Sequence, residues 1–205
     1  MEQLNGLIKP NSPNLISAIA LLFSWLAIIF VIQNLFYASF GFILLAFVFD
    51  ALDGYVARKM CLENKLGRVL DGYVDVINYL VYPAIAFFIF FGMTSIISQI
   101  AIFAFLAAGV FRLARFQIRG IKTQENKMYY EGLPVFISPL IILFFLFIQQ
   151  LFDKTIFELI SSVTLFLVGY LMVLLFKFPK PKNVFPFLFI ATALSFAFIA
   201  KQWFL

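Results

Sequence analysis

Four aspartates, Asp50, Asp53, Asp71 and Asp75, fall within positions 50–75 of a 205-residue chain that is 64% hydrophobic and has ten acidic residues in all. Asp50 and Asp53 are three apart and Asp71 and Asp75 four apart, so on helices each pair projects from a single face. Two such helices side by side would gather four carboxylates. An ionised carboxylate at the centre of a spanning helix costs about 2.5–3.5 kcal/mol on insertion scales, so four facing lipid would be hard to offset and must instead line a polar cavity. Packed together without counter-ions they would repel, and some would take up protons. Divalent cations remove both difficulties, and four oxygen ligands with room for phosphate oxygens and water suit two Mg²⁺-like ions.

The rest of the composition narrows the chemistry. With no histidine and a single cysteine, Cys61, there is little material for zinc sites, haem ligation or Ser/His and Cys/His nucleophile pairs. Any metal must be held by oxygen, which favours Mg²⁺ or Mn²⁺, with Ca²⁺ also admitted. Gly54 and Ala57 lie close to the Asp53 face, where small side chains let a neighbouring helix or a ligand approach the backbone. Gly67 stands one turn before Asp71. Arg58 follows at the helix end, suited to a planar, bidentate contact with phosphate.

The elements that must position these residues are membrane helices. Mean hydropathy is +1.03 and only 12% of residues are charged, well below the quarter or so of a soluble domain. Apolar runs such as LISAIALLFSWLAIIFVI approach the ~20 residues that cross a bilayer, and period-2 alternation is absent. The fold class is therefore an all-α integral membrane protein, a bundle of about six to seven transmembrane helices in a single domain over 1–205. The predicted helices are 14–33, 35–59, 66–91, 94–119, 133–152, 155–178 and 184–204. The first twelve residues lack the basic segment and cleavage site of a secretory signal, so the first span is expected to be retained.

On this seven-helix map Lys9, Arg58, Lys59, Lys65, Arg68, Arg112, Arg115, Arg119, Lys122, Lys127, Lys177, Lys180 and Lys182 share one side, leaving two of the fifteen basic residues, Lys154 and Lys201, on the other. The positive-inside rule makes the crowded side cytoplasmic. All four aspartates lie near it. The expectation is a multi-pass protein of the cell membrane whose site faces the cytoplasm, with anionic substrates or lipid headgroups attracted to the excess positive charge and no nucleic-acid partner.

The residues Asp50-x2-Asp53-Gly54-x2-Ala57-Arg58-x8-Gly67-x3-Asp71-x3-Asp75 resemble, without departure in residue or spacing, the signature of the CDP-alcohol phosphatidyltransferases. The resemblance covers about an eighth of the chain. It implies a membrane enzyme, working as a homodimer, that joins a small polar alcohol to the phosphatidyl group of a CDP-diacylglycerol-type lipid and releases CMP. It further implies that Asp50, Asp53 and Asp71 hold two divalent ions, and that Asp75 completes the set and serves as catalytic base. Asp53, Gly54, Ala57, Arg58, Gly67 and Asp71 would meet the CDP group.

Two further stretches are similar to the phosphatidylserine synthase branch. Arg112-Leu113-Ala114-Arg115-Phe116 matches an RLARF-N pattern except for Gln117, and Gly132-Leu133-Pro134 matches an F-x-GLP pattern with Tyr130 in the aromatic place. After the last aspartate, Asn78 and Tyr79 depart from that branch's small, serine-containing run. Arg112, Arg115, Asn78 and Gly132 are the expected acceptor-binding residues, with free N–H groups at the Gly132 turn also able to meet an anion. L-serine is the favoured acceptor, because two branch-like stretches agree. Inositol phosphate and glycerol phosphate, which suit an arginine pair, remain open. A cation channel or carrier is the competing class; it calls for acids spread through the bilayer's depth rather than gathered at one face beside Arg58.

Overall fold

The computed structural model describes residues 12–62, 65–120, 122–124, 127–179 and 183–204. Lys9, Lys180, Lys182 and most of the first twelve residues, on which parts of the charge and signal expectations rest, lie outside them. Helix α1 is Ser12–Ile32, α2 Phe36–Lys59 and α3 Lys65–Val76; a π-helical segment, Ile77–Val81, carries α3 on into α4, Tyr82–Ile89. Then follow α5 Ile96–Arg119, β1 Lys122–Gln124, β2 Lys127–Glu131, α6 Ser138–Ile148, α7 Lys154–Val173, β3 Lys177–Pro179 and α8 Phe185–Phe204. Among the described residues six apolar helices, α3 and α4 counting as one, are long enough to cross a membrane, and the protein is a multi-pass helical membrane protein.

The segment around α6 is shorter, yet it joins the two ends of the bundle. Gly132 lies against Arg115 and the end of α7, whereas Lys154 reaches Gly92 and Glu158 accepts from the Ser95 N–H at 2.7 Å. Along α5, Ser95 and Arg115 are roughly 30 Å apart at 1.5 Å per residue. Flanking 3₁₀ turns at Val135–Ile137 and Gln149–Leu151 stretch the short helix to a rise of roughly 28 Å, enough for the crossing.

Two departures from the sequence reading have local causes. The helix expected over 155–178 stops at Val173 because the chain beyond pairs with β2, Glu131 against Lys177 and Tyr130 against Phe178, in an antiparallel sheet of order β1-β2-β3 at the aspartate end. The helix expected over 66–91 is widened at Ile77–Val81, where the Tyr82 N–H reaches back to the Ile77 carbonyl. Pro83 comes next and has no N–H to give, so the wide turn sits where the regular ladder is already interrupted.

Packing relies on small and aromatic residues. A Cβ at Gly41 would lie 2.5 Å from Ile199 and 2.8 Å from the Ser195 carbonyl, so only glycine lets α2 and α8 touch, and Ser195 Oγ donates to the Gly41 carbonyl at 2.9 Å. Small residues serve this purpose in membranes, where burying apolar surface supplies no drive between helices. At the end far from the aspartates, Phe91, Phe145 and Phe157 join the α4 end, α6 and α7 through ring contacts of 5.5–6.3 Å.

Candidate active site

Helix α2 brings Asp50 and Asp53 to its inner face, and α3 brings Asp71 against them. One carboxylate oxygen from each of the three lies within 4.8 Å of the others. Asp53 is buried and accepts a hydrogen bond from Ser17 Oγ on α1. Asp50 Oδ2 accepts from the Tyr79 hydroxyl at 2.7 Å, while Asp50 Oδ1 is buried with no partner. An oxygen-only set of three carboxylates with one orphaned oxygen fits a hard divalent cation, which would satisfy the charge and the orphan together.

Two cavities meet at this cluster. The first, about 320 Å³, is lined by Pro13, Asn14 and Ser17 of α1 and by Asp53, Gly54, Ala57, Arg58, Gly67, Arg68, Asp71 and Gln117. It gathers the expected CDP-binding residues around one space. Gly54 leaves room for Arg58, whose Nη1 would lie 3.2 Å from a Cβ there. The second cavity, about 380 Å³, is lined at its polar end by Asp50, Asp71, Asp75, Tyr79, Arg112 and Tyr130. Gly54, Arg58, Asp71 and Phe116 line both.

Away from the aspartates the second cavity is apolar. Its walls are Pro139, Leu140 and Leu143 on α6 and Phe187, Ile190, Ala191 and Leu194 on α8, and Leu140, Phe187 and Ile190 are exposed on the outer surface. The space therefore runs from the carboxylates toward the lipid side between α6 and α8.

The expected acceptor residues separate. Arg112 is buried, lines the second cavity and sits within electrostatic reach of Asp75. Its guanidinium lies 5.2 Å from the Phe116 ring and 5.7 Å from that of Tyr130, close enough for cation–π attraction, and its Nε has no hydrogen-bond partner. Burial pushes the Tyr130 phenol above its usual range, with Arg112 pulling the other way, so at neutral pH it remains a neutral donor beside that cation.

Arg115 instead turns away and donates to the carbonyls of Val173 at 2.7 Å and of Glu131 and Met172 at 2.9 Å. It lines neither cavity. Arg119 pairs with Glu131 at 3.2 Å. Gly132 lines neither cavity, and its turn does not offer free donors, because the Gly132 N–H goes to Phe176 O at 2.8 Å and the Leu133 N–H to Leu171 O at 3.0 Å. Asn78 is fully buried against α1, where its Oδ1 accepts from Ser24 Oγ. Ser17, Tyr79, Phe116 and Tyr130 enter the site from elsewhere. Phe116, Tyr130 and Tyr79 fall in or beside the stretches already singled out, but without a site role read for them; Ser17 has no local mark and reaches the site from α1 by tertiary packing.

Residues 10–175 match the profile of the family described as CDP-alcohol phosphatidyltransferase. A CDP-diacylglycerol–serine O-phosphatidyltransferase of Methanocaldococcus jannaschii is 35% identical over 162 residues, 78% of this chain and 73% of that protein. An enzyme of the same name from Mycobacterium leprae is 29% identical over 62% of this chain and 42% of its own length. A phosphatidylcholine synthase of Rhizobium meliloti is 27% identical over 86% of this chain and 70% of that protein.

Proposed function

The chain belongs to the CDP-alcohol phosphatidyltransferase family, and we propose that it transfers the phosphatidyl group of a CDP-linked lipid to the hydroxyl of L-serine, yielding phosphatidylserine and CMP. The observation that carries the acceptor is Arg112. Of the three arginines on the outgoing turns of α5, Arg115 is spent on carbonyls and Arg119 on Glu131. Arg112 alone is left facing the cavity that holds Asp75. Arg58 also lines that cavity but is taken up by the pyrophosphate in this reading, and the one buried guanidinium that remains suits a monoanionic carboxylate better than a phosphate, which a pair of arginines would hold. It also disfavours the cation choline.

In the reaction the serine hydroxyl oxygen attacks the lipid-linked phosphorus, the bond to CMP breaks, and Asp75 takes the hydroxyl proton. Asp50, Asp53 and Asp71, with Asp75 completing the set, would hold two divalent cations, Mg²⁺ or Mn²⁺, which neutralise the pyrophosphate and the departing CMP. Arg58, at the junction of the cavities, meets the pyrophosphate. Gly54, Ala57 and Gly67 give the nucleotide close access to the backbone in the first cavity. The apolar limb between α6 and α8 lets the acyl chains stay in lipid while serine arrives from water.

Arg58, Lys59, Arg68, Arg112, Arg115, Arg119 and Lys177 lie at the aspartate end and Lys154 and Lys201 at the other. The positive-inside rule therefore supports an active site facing the cytoplasm at the cell membrane. The acceptor is tested by offering serine, inositol phosphate, glycerol phosphate, ethanolamine and choline to purified enzyme with CDP-diacylglycerol. Stimulation of CMP release by serine above the others is expected; stimulation by another alcohol alone would replace serine and leave the family chemistry standing.

A further inference from the structure

Tyr79 stands one turn beyond Asp75, inside the π-helical segment, and is 2% exposed. Its ring meets Phe47 edge-on, with centroids 6.3 Å and planes 78° apart, and its hydroxyl donates to Asp50 Oδ2 at 2.7 Å. Phe47 and Asp50 are neighbours one turn apart on α2. Tyr79 therefore lies along that turn, with its ring seated on the first residue and its hydroxyl on the second. The widened turn of Ile77–Val81 changes where side chains after Asp75 point; Tyr79 and Tyr82 both reach back across to α2, Tyr82 to Ser39 Oγ at 2.9 Å and Tyr79 to Asp50.

The consequence falls on the Asp50 carboxylate. With Oδ2 engaged, the oxygen left over is Oδ1, the one that is buried without a partner. We propose that Tyr79 is a positioning residue whose hydroxyl restricts Asp50 to presenting a single oxygen to a divalent cation. This rests on the reading of the aspartates as the cation site. A carboxylate limited to one oxygen suits Mg²⁺ and Mn²⁺, which demand compact octahedral geometry, and disfavours Ca²⁺, which accepts both oxygens of a carboxylate in a larger, looser shell. Partners that orient metal-binding carboxylates are worth about 10–100-fold in metal affinity or activity when removed.

The alternative is that Asp50 merely satisfies a buried phenol. The two separate in Tyr79→Phe, which keeps the ring on Phe47 and removes the hydroxyl. Mn²⁺ binding to the full chain in detergent, measured by electron paramagnetic resonance without lipid substrate, is expected to weaken about tenfold, and competition by Ca²⁺ is expected to become more effective relative to Mn²⁺. Phe47→Leu, which retains the hydroxyl but loosens the ring's seat, is expected to shift both quantities the same way by a smaller factor. Wild-type Mn²⁺ affinity and an unchanged Mn²⁺ to Ca²⁺ ratio in these variants would overturn the role of Tyr79. Asp50→Asn is measured beside them: if it alone weakens Mn²⁺ binding, only the Tyr79 inference falls, and if it too binds Mn²⁺ as the wild type does, the cation site itself is wrong.

Discussion

A Cβ on Gly132 would stand 2.9 Å from Arg115 Nη2 and 2.6 Å from the Leu174 carbonyl, so glycine and guanidinium share one crowded joint that fastens the β2–α6 turn to the end of α7. Gly132 also has φ +75°, a left-handed conformation that a side chain would strain.

Arg115→Ala is therefore expected to act on stability. Hydrogen bonds from a charged donor contribute about 1.5–3 kcal/mol each, so losing three would cost on the order of 3 kcal/mol after allowance for overlap between them. Thermal melting in detergent measures this. In the protein that remains folded, KM for serine should move less than about threefold. An unchanged melting temperature with a tenfold rise in serine KM would return Arg115 to the acceptor site.

Arg112 should behave in the opposite way. Arg112→Lys keeps a charge but loses the planar fork held against the rings of Phe116 and Tyr130. Its serine KM is expected to rise at least about tenfold, equivalent to 1.4 kcal/mol, while KM for the CDP-linked lipid changes little. Steady-state kinetics with each substrate varied in turn reads the difference. An unaltered serine KM in both Arg112→Lys and Arg112→Ala would remove the carboxylate contact.

The contrast between these two arginines shows what a sequence reveals and what it hides. Spacing placed Arg112, Arg115 and Arg119 along one side of a helix, but it reports where each Cα sits and not where a long side chain ends. The heads diverge to a cavity, to backbone carbonyls and to Glu131. The closeness of Asp50 and Asp53 was legible because short acids at i, i+3 have little freedom to point elsewhere, and the approach of Asp71 from the next helix because the cost of such acids in a bilayer demands company. The spans were legible from hydropathy alone. The sheet was not, since strands of three and five residues in a polar loop carry no readable alternation. Nor was the site role of Tyr79 or Ser17, whose partners lie 29 and 36 residues away.

The apolar limb between α6 and α8 makes a claim about the donor lipid. Leu140→Trp or Ile190→Trp would narrow it from opposite walls. Transfer from a long-chain CDP-diacylglycerol is expected to fall about tenfold, a loss of 1.4 kcal/mol in transition-state binding, with a smaller effect on a short-chain, water-soluble analogue. Equal losses on both lipids, measured in mixed micelles, would place the chains elsewhere.

The most direct measurement is CMP release from CDP-diacylglycerol by purified wild-type enzyme and by Asp50→Asn, Asp71→Asn and Asp75→Asn, each with and without divalent cations. Wild type should release CMP only with cation and faster with serine. Asp75→Asn should be folded and inactive, and Asp50→Asn and Asp71→Asn should lose the response to cation. Wild-type turnover in all three variants, or full activity in chelator, would contradict the carboxylate centre.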